Sequence, residues 1–176
     1  MAEQDVQLDA LDAKLLALLH EEPRIGVLEL SRRLAVARGT VQARLDKLIA
    51  RGAITSFGPD VSPAAIGFGV MSFVTLEISQ RYGHTAVAAH LAAIPEVLEA
   101  HTITGAGDVV CRIVARSNAD LQRVIDQIVG YEGIVRCSTI IALAELIPYR
   151  MLPLVRAAVQ TTVQTTAKPI DTGGSA

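Results

Sequence analysis

The run ARGTVQARLDKLIARGAI, residues 37–54, constrains this chain more than any other stretch. Apolar Val41, Leu45, Leu48 and Ile49 recur at helical spacing and define one buried stripe. Arg38, Thr40, Gln42, Arg44, Lys47 and Arg51 decorate the remainder, and Gly52 supplies a helix stop. Just upstream, VLELSRRL, residues 27–34, reads as a shorter amphipathic helix, leaving only a tight connection between the two. Two short helices, a brief turn and a basic second helix are the outline of a helix-turn-helix.

Charge agrees with that outline. The whole chain carries a formal net charge of -2, so its bulk composition does not announce a nucleic-acid binder. Between Arg24 and Arg51 the balance reverses. Arg24, Arg32, Arg33, Arg38, Arg44, Lys47 and Arg51 stand against only Glu29 and Asp46. A local basic surface on a mildly acidic protein is the electrostatic footprint of phosphate binding. The alternative is a solvated helix held by pairs such as Arg44 and Lys47 with Asp46.

At 176 residues the chain accommodates one ordinary domain or two small ones. No apolar run reaches the ~18 residues of a membrane span, and the first twenty residues lack a basic signal-like segment, so a cytoplasmic location is the expectation. Trp is absent and aromatics are 3%, which leaves the core to Leu, Ile, Val and Ala and disfavours base stacking.

Along the chain, Asp9 is a candidate N-cap for a first helix with Leu11, Leu15, Leu18 and Leu19 inward, closed by Pro23. Ile54 to Asp60 reads as a strand or wing. After Gly67 the period becomes two: Val70, Ser72, Val74, Leu76 and Ile78 alternate with Met71, Phe73, Thr75 and Glu77. A helix from Thr85 to Ile94, strands at Val97–Thr104 and Val109–Ala115, a helix at Asn118–Val129 and a long strand at Gly133–Ile147 follow. The order β-α-β-β-α-β is that of a ferredoxin-like sandwich. Two helices cover one sheet face, and a second copy of the chain is the simplest cover for the other. The fold class is therefore α+β: a winged helix-turn-helix at residues 1–54, a linker strand at 55–67, a βαββαβ domain at 68–154, to which the resemblance described below assigns effector binding and oligomerisation, and a flexible extension at 155–176.

Catalytic motifs are lacking. Cys111 and Cys137 sit in strand-like apolar runs without Cys-x-x-Cys spacing, and His20, His84, His90 and His101 form no local metal-ligand pattern. No catalytic residue, metal site or cofactor is expected. Thr104-Gly105-Ala106-Gly107-Asp108 admits two interpretations. Its glycines expose N–H groups that form a small anion nest for a carboxylate, with Asp108 pairing an ammonium or bracing the loop. Alternatively it is a plain hairpin whose glycines serve only turn geometry.

The chain resembles bacterial Lrp/AsnC, or feast/famine, transcription regulators from about Leu8 to Leu154. LDALDAKLLALLHEEPRI, ELSRRLAVARGTVQARLDKLIARGAI, the Ile66-Gly67 step, IPEVLEAHTITGAGD and GIVRCSTIIAL carry the resemblance, in order. It implies a DNA-binding head using Arg38, Thr40, Gln42, Arg44, Lys47 and Arg51. It also implies an amino-acid effector held near His101, Ile103, Thr104, Gly105, Ala106, Gly107 and Asp108. Homodimers that assemble into octamers are implied as well. Ala35 and Ala37 stand where the family usually has a turn glycine and a serine cap, Val109 stands for a tyrosine, and His101 for another. Two further functions belong to other classes. Sirohaem decarboxylases resemble this family, but a tetrapyrrole's carboxylates need cations, and the C-terminal half has only scattered Arg. An effector-independent architectural DNA-binding protein would share the same DNA-binding half.

Overall fold

A computed structural model describes residues 7–166. The described residues divide into two compact units, residues 7–59 with 148–166, and residues 60–147.

The first unit holds α1 (Ala10–Glu21), α2 (Val27–Leu34), α3 (Arg38–Ala50) and α6 (Leu152–Thr166). Asp9 caps α1: its carboxylate accepts the N–H groups of Leu11 and Asp12, and the Asp12 carboxylate accepts the Asp9 N–H in return. This capping box satisfies donors that a helix start leaves open. Leu15, Leu30, Val41, Leu45 and Leu48 form the core, with Leu18, Leu19 and Ile54 packed at its margin. Ile49, assigned to the buried stripe by spacing, is instead 47% exposed. One residue beyond Leu48, it has rotated about 100° out of the core.

Three expectations are corrected here. Residues 54–60 form neither a strand nor a wing. The N–H groups of Ala53 and Ile54 bond Leu48 O and close the end of α3, and among the described residues of this unit there is no strand to pair with. The linker at 55–67 likewise has no strand, only a 3-10 turn at Ala64–Ile66. The extension from residue 155 is also not irregular over its first part. Leu152–Thr166 is helix α6, packed on α1, with Leu152, Val155 and Val159 half-buried along one stripe. Pro153 sits in its first turn, where a missing N–H costs nothing. Residues 167–176 of the expected extension lie outside the described residues.

The second unit contains β1 (Val70–Ile78), α4 (Gly83–Ala92), β2 (Val97–Thr102), β3 (Val109–Ala115), α5 (Asn118–Val129) and β4 (Ile134–Ala142). The antiparallel sheet has the order β2-β3-β1-β4. Val74, Leu76, Val109, Cys111 and Ile113 on one sheet face meet Val87 and Leu91 of α4 and Leu121, Val124 and Ile128 of α5. The other face bears Met71, Phe73, Val110, Val114 and Ile140, as the registers Phe73↔Arg112 and Phe73↔Ile140 require. Three boundaries differ from the periodicity. α4 begins and ends two residues early; its end falls short because Ile94 precedes Pro95 and is steered out of helix. β2 ends at Thr102, where the Ile103 N–H bonds Asp108 O and closes the hairpin. β4 ends at Ala142 because its partner β1 begins there, at the pair Met71↔Ala142, leaving 143–147 without a strand to join.

Candidate DNA-binding and effector sites

The turn between α2 and α3 is made without the residues best suited to it. Ala35 adopts φ 53, ψ 43, the left-handed conformation that glycine occupies without a Cβ penalty. Its N–H bonds Arg32 O, and the Val36 N–H bonds Ser31 O, so the end of α2 is still satisfied. Ala37 caps α3 with no side-chain bond.

From this start α3 presents Arg38, Thr40, Gln42 and Lys47 to solvent, with Arg51 exposed just past its end. Among the described residues, no carboxylate lies within ion-pair distance of Arg24, Arg38, Lys47 or Arg51. Gln42 donates to Asp46 at 2.8 Å, so Asp46 engages that amide rather than Arg44 or Lys47. Arg32 pairs with Glu29, and Arg33 with Glu22 at 2.6 Å and Glu29 at 3.4 Å. The cationic surface is therefore smaller than the sequence count implies.

Arg44 departs from its expected role. Its guanidinium Nη1 lies 2.6 Å from Asp9 Oδ2 and 2.7 Å from Asp12 Oδ1. Asp12 is 2% exposed. One cation thus joins both carboxylates of the α1 capping box to α3. Burial pushes the Asp9 carboxyl up, but the Asp12 N–H and the Arg44 guanidinium outweigh it, and its pKa falls below the ordinary value. The same contacts raise the Arg44 pKa. A guanidinium paired with a buried carboxylate is less available to a base than the exposed Arg38. Helical spacing alone did not distinguish it from Arg38. The signal was in the pair Asp9 and Asp12, more than 30 residues away.

In the second unit the loop after β2 is braced rather than loose. Gly105 has φ +116, a conformation that L side chains rarely adopt, and a Cβ on Gly107 would lie 2.4 Å from Thr75 Cγ2 and 3.2 Å from Leu76 O. The Asp108 N–H bonds Leu76 O at 2.8 Å, and Asp108 Oδ2 accepts the Ile78 N–H at 2.8 Å. That carboxylate fills in where the β1–β4 register shifts, between Glu77 and Ile78. Thr104, Gly105 and Ala106 are exposed, and the N–H groups from Thr104 to Gly107 carry no hydrogen bond among the described residues. Ile103 is half-buried at the hairpin foot. His101 is exposed, with Nε2 3.8 Å from Glu99 Oε2.

Beside this hairpin lies an apolar cavity of about 100 Å³. Helix α4 lines it with His84, Val87, Ala88 and Leu91. The hairpin strands line it with Ala100, His101, Thr102 and Val109. The α4 contributors were not legible as site residues, since the segment Thr85 to Ile94 carries only a helical pattern.

Strand order puts β1 between Cys111 on β3 and Cys137 on β4, and both thiols are free. Burial pushes the Cys111 thiol up to about 11, which suppresses its thiolate. Among the described residues no His/Cys/Asp/Glu group could hold a metal ion, and no helix is long and apolar enough to cross a membrane.

A helix-turn-helix unit joined to a ferredoxin-like unit with its own loop and cavity defines a two-part regulator class. Residues 8–49 match the AsnC-type helix-turn-helix domain, and residues 70–152 match the Lrp/AsnC ligand binding domain. An HTH-type transcriptional regulator of Pyrococcus abyssi is 32% identical over 130 residues, 73% of this chain and 82% of its own. Regulatory protein AsnC of Escherichia coli is 31% identical over 137 residues, covering 77% of this chain and 90% of its own. The solved structure of E. coli AsnC is similar at a TM-score of 0.77, with 29% identity, over 84% of this chain and 100% of that one. A Neisseria meningitidis transcriptional regulator solved with L-methionine gives a TM-score of 0.72 at 25% identity, over 84% and 99% of the two chains. The chain belongs to the Lrp/AsnC family of transcription regulators.

Proposed function

We propose that the first unit binds double-stranded DNA by laying α3 in the major groove, and that a small zwitterionic effector, an amino acid, modulates that binding from the second unit. Arg38, exposed at the start of α3 and without an ion-pair partner among the described residues, carries the DNA assignment. The N-terminal residues of a recognition helix are those that reach base edges. Arg38, Thr40 and Gln42 take that position, while Lys47 and Arg51 serve the phosphates.

The free N–H groups from Thr104 to Gly107 support the effector assignment, since they are suited to a carboxylate. Asp108 acts there as a brace, with one carboxylate oxygen already engaged by β1. A complex of L-methionine with the Neisseria regulator adds support from a relative. The apolar sheet face favours pairing with a second copy, which gives a two-fold head for a pseudo-palindromic site. Assembly of such dimers into an octamer follows the family pattern. Effector at a contact between dimers then acts by favouring one assembly state, which sets the spacing of the heads.

Gel-shift titration across salt tests the DNA assignment. Arg38→Ala is expected to weaken specific binding by about 1–3 kcal/mol. Lys47→Ala should weaken all sequences alike and reduce the salt slope by about 1. Unchanged affinity in both variants would remove α3 from the interface.

A further inference from the structure

Asp46 is the only acid on α3, a helix otherwise decorated with cations and small polar groups. It is exposed, and among the described residues no cation lies within ion-pair distance of it. On a face that meets phosphates, an acid without a cation opposes binding. Its carboxylate is nonetheless engaged: Oδ1 accepts from Gln42 Nε2 at 2.8 Å.

A carboxylate has no proton to give, so this bond decides which way the amide faces, nitrogen toward Asp46 and oxygen away. Gln42 keeps Oε1 and one N–H for a partner. That acceptor-plus-donor edge matches adenine, which offers N7 as acceptor and N6–H as donor in the major groove. Guanine offers two acceptors there, thymine an acceptor and a methyl, cytosine a donor. The surroundings leave the pair room. Gly39, Ala43 and Ala50 adjoin it at helical spacing, and all three are exposed. None carries more than a methyl, so no bulky side chain on that flank stands between the amide and a base.

We propose that Asp46 is a positioning residue for base readout. It holds the Gln42 amide in the one orientation that pairs with adenine, and so makes adenine the preferred base at one position of each half-site. Bidentate pairing uses the N–H on the oxygen's side of the amide and leaves the other N–H to Asp46. The inference rests on α3 lying in the major groove, as assigned above.

Selection of the full chain on a pool of randomised duplex DNA gives its preferred site. Gel-shift titration of duplexes carrying each base at each position then gives the base profile of every variant. The parent should prefer adenine at one position of each half-site by roughly tenfold or more, the range of a bidentate pair. Gln42→Ala and Asp46→Ala should each cut that preference by roughly tenfold at the same position. The double variant should lose no more than either single one, because both remove the same contact. Asp46→Ala also removes a negative charge, so it should tighten binding to every duplex, which separates charge from readout. Asp46→Asn has its own signature. Its amide can donate to Gln42 Oε1, which turns both Gln42 N–H groups toward the base, and guanine should rise to the level of adenine. Asp46→Glu keeps a carboxylate at the same helical spacing and should retain adenine. Positions 42 and 46 are exposed, so the fold should persist, as melting curves will report.

An unchanged base profile in Asp46→Ala and Asp46→Asn would overturn the proposal and leave Asp46 as a surface charge. A cytosine preference lost in Asp46→Ala but kept in Gln42→Ala would overturn it too, because Asp46 would then read the base itself. So would a parent without base preference at any position. In each case α3 keeps its assignment as long as Arg38→Ala and Lys47→Ala weaken binding. Unchanged affinity in those two as well would remove the helix from the interface and the proposal with it.

Discussion

Ala35 holds a conformation that costs an L-residue about 1–2 kcal/mol, while glycine there would carry about 0.5–1 kcal/mol of extra unfolded-state entropy. The first term is larger. Ala35→Gly is therefore expected to stabilise the first unit by about 0.5–1 kcal/mol. Urea unfolding monitored by circular dichroism measures it, and a destabilised variant would contradict the left-handed assignment. Asp9 gives a second expectation at this scale. A carboxyl whose folded pKa is depressed stabilises at pH above its ordinary value, 3.8 here, and that contribution disappears as pH falls through the folded value. The Asp9 contribution is thus present at neutral pH and lost below about pH 4. The stability difference between the parent and Asp9→Asn should shrink between pH 6 and pH 3. A constant difference would show that the Arg44 contact does not depend on the Asp9 charge.

At the scale of elements, α3 is joined to α1 by Arg44, and α1 is packed by α6. Removing Arg44 leaves Asp12 buried without its cation, which costs about 2 kcal/mol at this partly exposed pair. Arg44→Ala should accordingly destabilise the unit and leave the salt slope of DNA binding unchanged once the folded fraction is accounted for. A reduced slope would return Arg44 to the phosphate-contacting set. Ending the chain after Met151 removes α6, which packs on α1 and carries half-buried Leu152, Val155 and Val159. Losing three half-buried aliphatic contacts corresponds to about 1–3 kcal/mol. Hydrogen exchange should rise across α1 while β1 and β3 stay protected; unchanged α1 exchange would mean that α6 only rests on the surface.

For the molecule as a whole, the sheet face opposite α4 and α5 leaves large apolar side chains open. Phe73 and its register partner Ile140 are 41% and 65% exposed. Ile140→Asp should convert a dimer to a monomer in light scattering, with little change in monomer fold because the side chain faces away from the core. A parent that is already monomeric at micromolar concentration would sink the second-copy cover.

Sequence by itself determined helices α1 to α5, the four strands in ferredoxin-like order and most of both cores, but not α6, the absence of a wing at 54–60 or the exposure of Ile49. The elements it determined follow from local periodicity and from caps such as Asp9, whose physics is complete within a few residues. Only the tertiary structure decided which polar side chains remain free. Arg38 and Arg44 look alike in a helical pattern, but Asp9 and Asp12 claim one and not the other. The same holds for Asp108, whose carboxylate is engaged by Ile78 thirty residues away, and for the end of β4, fixed by where β1 begins. The cavity beside the hairpin combines residues of α4, β2 and β3, none of which signals a site alone. Burial patterns are written along the chain at 2.0 or 3.6 residues per repeat, whereas charge pairing and cavities arise between segments that no local period connects.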